Sequence, residues 1–167
     1  MYYGELGIKA EQEKDKDPKL VFYTRKRKNR QLPEGEKFHV GESITMEFSE
    51  IDVMKQILLD IFTIVTKGAC RKDWDELNEE HVWSIKSRTV FQIMTGPLII
   101  DLVGYEGYAE LSVITYTEDM STEEVGSIRF SDTGRASLVQ KLLAALDLIG
   151  VNRDEAYAYK KAAKEES

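Results

Sequence analysis

The feature that most constrains this fold is a strand that continues directly into a helix. Apolar and polar residues alternate over residues 43–48, which is the period-two pattern of a strand with one buried face. Ser49 then offers a helix N-cap, and an apolar stripe at helical spacing follows from Ile51 to Val65, before Gly68. Because the strand and the helix both need to bury an apolar face, this pattern indicates a fold that combines the two around one core.

A similar unit occurs later in the chain. Residues 40–50 and residues 125–132 each combine a strand-like stretch with a Phe-Ser-acid sequence, which we expect to cap the amphipathic helix that follows. The two spacings differ by a couple of residues, so an internal repeat and a chance similarity both remain open. The second helix is expected to end at Gly150, and Asn152 to cap a short last helix.

The order of the remaining elements predicts the fold class. A strand is expected near residues 20–24, and strands joined by short turns fill residues 83–116. Consecutive strands with short connections favour an α+β fold, a largely antiparallel curved sheet with two amphipathic helices on one face. We expect a polar lead-in over 1–19, one domain over 20–150, and a helical tail over 151–167.

Charge is segregated along the chain. Five of the six residues from Arg25 to Arg30 are basic, whereas the rest of the chain carries 18 basic and 30 acidic residues. Overall acidity disfavours non-specific adhesion to nucleic acid, but a local basic run can still contact phosphates. This run is the most specific functional signal in the sequence.

Aromatic and basic residues around this run suggest a binding surface. Single-strand binders combine a positive groove with aromatic side chains on which bases stack. Period-two alternation places Lys86, Arg88 and Gln92 on the outward face of the central strand, where they would extend such a groove, and Arg129 would add to it. Tyr105 and Tyr108 lie at a hairpin tip where bases could stack. The candidate nucleic-acid-binding residues are Phe22, Tyr23, Arg25, Lys26, Arg27, Lys28, Arg30, Lys86 and Arg88.

Catalytic and metal-binding alternatives have weaker support. The acidic stretch 73–81, which ends in His81, does not have the ligand spacing of a Ca²⁺ loop, and nothing in the sequence places Cys70 beside His39 or His81 as a nucleophile and base. We therefore expect no enzyme, no cofactor and no metal. The competing hypothesis is a protein-interaction module, an adaptor or inhibitor that acts through its acidic surface or through sheet edges, including edges paired between two copies.

The single cysteine and the N-terminal residues bear on the compartment. Cys70 cannot form an intramolecular disulfide, and the first seven residues lack the basic and apolar regions of a signal peptide. No apolar stretch is long enough to span a bilayer. We expect a cytoplasmic protein without a membrane partner.

Overall fold

Two antiparallel sheets and three helices make up the part of the chain that this computed structural model describes, residues 4–27, 38–67, 88–105, 108–131 and 134–166. The strands are β1 (Glu5–Glu11), β2 (Lys19–Arg27), β3 (Phe38–Glu47), β4 (Arg88–Thr95), β5 (Leu98–Tyr105), β6 (Tyr108–Tyr116) and β7 (Thr122–Phe130). The helices are α1 (Ile51–Lys67), α2 (Arg135–Leu148) and α3 (Arg153–Glu166). The predicted α+β class is confirmed.

The strands divide into an N-terminal sheet, β1-β2-β3, and a C-terminal sheet, β4-β5-β6-β7, rather than the single sheet that we expected. Every neighbouring pair in both sheets is antiparallel. The sheets separate where α1 intervenes between β3 and β4. They meet where β7 packs against β3, with Ile44 of β3 in contact with Gly126 of β7.

The inner faces of the sheets and the helices enclose one hydrophobic core. The buried residues alternate with half-buried ones on β2 and with exposed ones on β3, as the sequence pattern predicts for Ile44 and Met46. Helix α1 packs against α2, α3 and β4, while α2 packs against β1. Leu58 of α1 and Leu142 of α2 are both fully buried, which confirms that the two apolar stripes face the core.

The ends of the helices follow the sequence in part. Helix α2 begins after Gly134, which makes no side-chain capping hydrogen bond, so the Phe-Ser-acid cap expected for it is wrong. At its other end, Gly150 has a φ of +85°, and the Val151 N–H donates to the Leu146 carbonyl at 2.9 Å. This is the Schellman arrangement that glycine favours. Asn152 caps α3 as predicted, since its Oδ1 accepts from the Glu155 N–H at 2.9 Å.

Both ends of the chain contribute to the same core: the expected polar lead-in contains a strand, and the C-terminal segment forms a helix, as expected for the tail. Strand β1 lies within residues 1–19, pairs with β2 along its length and buries Leu6 and Ala10. Helix α3 buries Ala156 and packs the Tyr157 ring edge-on against Phe62, with the ring centroids 5.1 Å apart. The apolar residues at positions 6, 8 and 10 alternate with other residues, which is the period-two pattern of a strand with one buried face.

Candidate nucleic-acid interface

The two aromatic residues that precede the basic run lie on opposite faces of the N-terminal sheet. Phe22 pairs with Ile8 and Ile44 on the inner face and is only 2% exposed. Successive side chains of a strand point to opposite faces, so Tyr23 lies on the outer face and is half-buried. The prediction that Phe22 binds a base is therefore wrong in this structure, because its ring belongs to the core.

Tyr23 covers a glycine of the neighbouring strand. Gly7 is its register partner in β1, and a β-carbon on residue 7 would lie 2.5 Å from Cε2 of the Tyr23 ring. The absence of a side chain at residue 7 lets the ring lie over the sheet backbone. One side of the ring is thus used in packing.

The basic side chains described on the outer face of the N-terminal sheet are paired with carboxylates. Arg25 Nε lies 3.9 Å from Glu5, and Lys19 Nζ lies 3.6 Å from Glu47. Lys9 contacts Glu11, and the hydrogen bond from that carboxylate raises the pKa of Lys9. Phosphates would have to compete with these carboxylates, although exposed pairs of this kind are worth little.

Most of the basic run lies outside the described structure. Lys26 and Arg27 are the last two residues of β2, and the structure describes their backbone but not their side chains. Lys28, Arg30 and Lys86 lie outside the described residues altogether. Their role in binding stays a prediction.

The hairpin between β5 and β6 carries an ordered aromatic pair. The rings of Tyr105 and Tyr108 are stacked, with centroids 4.9 Å apart and planes within 9° of parallel. The Arg129 guanidinium lies 5.7 Å from the centroid of the Tyr108 ring, and its Nε donates to Glu110 at 3.1 Å. We call Tyr105, Tyr108 and Arg129 the tyrosine platform.

The register explains why these three side chains meet. Tyr105 and Tyr108 are directly paired across the β5–β6 hairpin, and Arg129 of β7 is the partner of Glu110. All of them lie on the outer face, because the intervening Ala109 is buried. Partial burial and the nearby Glu110 carboxylate raise the pKa of Tyr105.

The tyrosine platform lies beside the point where the two sheets meet. The Glu42 N–H donates to Thr24 Oγ1 at 3.1 Å, and the Glu42 carboxylate accepts from the Arg129 backbone N–H at 3.3 Å. Thr24 immediately precedes the basic run. The junction therefore holds the start of this run and the backbone of the platform arginine close together.

A β-bulge interrupts β4 and changes the expected arrangement of its faces. The register shifts between Thr89 and Phe91, and Val90 and Phe91 are both buried. Gln92 is exposed, as predicted, but the strict alternation that grouped Arg88 with it does not continue through the bulge. The backbone of Arg88 pairs with Gly104, and its side chain lies outside the description.

The weaker candidates from the sequence also fall outside the description. Cys70 and the acidic segment 73–81 are not among the described residues, and the side chain of His39 is likewise outside. Within the described ranges, no group of three or more His, Cys, Asp or Glu side chains could hold a metal ion. None of the described helices is long and apolar enough to cross a membrane.

Comparison with known proteins gives little help. No protein-family model matches the chain, and no curated protein matches it. A crystal structure of Trypanosoma bruciei MRP1/MRP2 is similar over 86% of this chain and 74% of that chain, at 13% sequence identity and a TM-score of 0.32. A likeness at this level carries no argument about function.

Sequence reasoning noted both platform tyrosines but could not show that they stack. Their sequence signal is the pair of tyrosines on either side of Glu106-Gly107, at the tip of a hairpin. Two other residues had no signal in the sequence. Gly7 makes room for the Tyr23 ring, and Glu110 orients Arg129. Both depend on the strand register.

Proposed function

We propose that this protein binds single-stranded nucleic acid without catalysing a reaction. The observation that carries the proposal is the tyrosine platform, a pair of parallel, half-buried rings on the outer face of the sheet with a guanidinium over one of them. Single-strand binders use such rings because every base has a π-face, and arginine adds a contact to base or phosphate. The position of the platform beside the start of the basic run supports a shared binding track.

The charge pattern favours a local track over general adhesion. The net charge of −7 repels phosphate from most of the surface, while the run from Arg25 to Arg30 attracts it. A duplex hides the faces of its bases, so a stacking platform gives an advantage only to an unpaired strand. We therefore infer a preference for single strands over double strands.

Substitutions in the tyrosine platform test this proposal. Tyr108→Ala should weaken binding of a labelled single-stranded oligonucleotide by about 1–3 kcal/mol, measured by fluorescence anisotropy. Tyr116→Ala is the matched control, because Tyr116 is an exposed tyrosine at the opposite end of β6, about 27 Å away at the rise of a strand. Equal effects of the two substitutions would contradict a specific role for the platform.

The cysteine content bears on the compartment, and the absence of binding would favour the alternative function. A chain with a single cysteine suits a reducing environment, so we infer a cytoplasmic protein. If the folded protein bound no oligonucleotide at low salt, the protein-interaction hypothesis, including self-association, would replace this one.

A further inference from the structure

A polar row crosses the outer face of the C-terminal sheet. Gln92, Asp101, Ser112 and Ser127 are consecutive register partners on β4, β5, β6 and β7. Neighbouring strands lie about 4.8 Å apart, so the row places one polar side chain per strand across the sheet. Asp101 is the only acidic member of the row.

The Asp101 carboxylate has an unmet need for hydrogen-bond donors. Its side chain is half-buried, and its Oδ1 is shielded from solvent without a hydrogen-bond partner in the described structure. Leaving a carboxylate oxygen in this state is unfavourable, because it has lost water and gained no donor. Glu110, on the same face of the sheet, is by contrast paired with Arg129 at 3.1 Å.

A bare carboxylate on this face opposes the binding of phosphates. A surface that binds nucleic acid tolerates such a group best where a base, rather than the backbone, contacts it. Asp101 lies four residues before Tyr105 on the same strand face, a separation of about 13 Å along β5. A strand anchored on the tyrosine platform can therefore extend along the sheet and present another base to the polar row.

We propose that Asp101 selects guanine in single-stranded nucleic acid, an inference that rests on the proposed function. The Watson–Crick edge of guanine presents two adjacent N–H donors, at N1 and N2, which match the two oxygens of one carboxylate. Thymine and uracil offer one N–H donor, and cytosine and adenine offer only an amino group on that edge. Unpaired bases expose this edge to the protein, whereas duplex bases do not.

The neighbours of Asp101 fit the same role. Gln92 and Ser112 flank it on adjacent strands; the Gln92 amide can donate to the guanine O6 atom, whereas the Ser112 hydroxyl donates to Glu110 at 3.4 Å. Gln92 is exposed, so its side chain can move aside to admit a base. A hydrogen bond from Gln92 to O6 would add to the preference for guanine, and the Asp101 carboxylate would remain its main source.

The test compares oligonucleotides that differ at isolated positions in a thymidine background. Wild-type protein should bind the guanine-containing oligonucleotide about tenfold more tightly than its adenine or cytosine counterpart. Inosine, which lacks the N2 amino group, should fall between them. Asp101→Ala should abolish this preference while retaining binding to plain thymidine oligonucleotide. Glu123→Ala, which removes an exposed acid from β7, should keep the preference.

The outcomes separate this inference from the proposed function. Tight binding with no base preference would overturn the role of Asp101 and leave single-strand binding intact. An Asp101→Ala protein that binds every oligonucleotide more tightly by the same factor would show that Asp101 only repels phosphate, and would also overturn it. Failure to bind any oligonucleotide would overturn the proposed function, and the selection of guanine with it.

Discussion

Removing one hydroxyl from helix α3 should measurably loosen its attachment to the domain. The Tyr159 hydroxyl donates to Asp60 Oδ1 at 2.5 Å, and the buried Thr95 donates to the other oxygen of the same carboxylate at 2.8 Å. Asp60 thus joins α1, the end of β4 and α3. A hydrogen bond to a charged group is worth about 1.5–3 kcal/mol, and because this pair is only partly buried we expect about 1.5–2 kcal/mol for Tyr159→Phe.

Thermal unfolding followed by circular dichroism measures this loss. For a chain of this length, the expected destabilisation lowers the Tm by about 3–8 °C. Tyr116→Phe is the matched control, because no side-chain hydrogen bond is described for the Tyr116 hydroxyl, and its Tm should not change. In a double-mutant cycle with Asp60→Asn, the Tyr159→Phe effect should shrink by at least half. A Tyr159→Phe protein with the wild-type Tm would refute the anchoring role of this hydrogen bond.

Three further substitutions or titrations test other parts of the structure. Leu142→Asp places an unpaired charge in the core and should cost more than about 4 kcal/mol in urea unfolding, whereas a wild-type midpoint would contradict the helix packing. Hydrogen bonds from the hydroxyl of Thr117 and from a neighbouring serine lower the pKa of Asp119 from 3.8 to about 2. The ionised Asp119 carboxylate therefore stabilises the fold fully above pH 3.8, and this stabilisation is lost as the pH falls through 2. An NMR titration of Asp119 with a midpoint near 3.8 would contradict this. Gly7→Ala should lower the Tm when Tyr23 is present and not in a Tyr23→Ala background, and equal effects in both backgrounds would disprove their contact.

Local patterns predict the elements of this fold well. The strands β4, β5 and β6 lie within residues 83–116, where strands with short turns are predicted, and α1 begins at Ile51, where the predicted apolar stripe begins. Alternation and helical spacing are local properties, so they specify which face of an element is buried. They do not specify which strands share a sheet, and the division into two sheets therefore had no sequence signal.

The candidate site shows the same limit. Alternation already implies that Phe22 and Tyr23 cannot share a face, and the buried pattern of β2 decides which one is exposed. The bulge in β4 adds one residue to the strand, so alternation counted from Gln92 no longer predicts which face Arg88 occupies. Register, which brings Asp101 level with Gln92, depends on tertiary packing and was visible only in the structure.

The salt dependence of oligonucleotide binding is the most direct test of whether the basic run binds the phosphates of a single strand. Wild-type protein and a variant with Arg25, Lys26, Arg27, Lys28 and Arg30 replaced by glutamine are titrated with single- and double-stranded oligonucleotides at two salt concentrations. We predict that the wild-type protein binds the single strand more tightly than the double strand. The slope of log affinity against log salt should be less steep in the variant, by about 0.7 for each phosphate of the single strand that the variant no longer neutralises. Equal affinity and equal slope in the two proteins, with both folded, would contradict it.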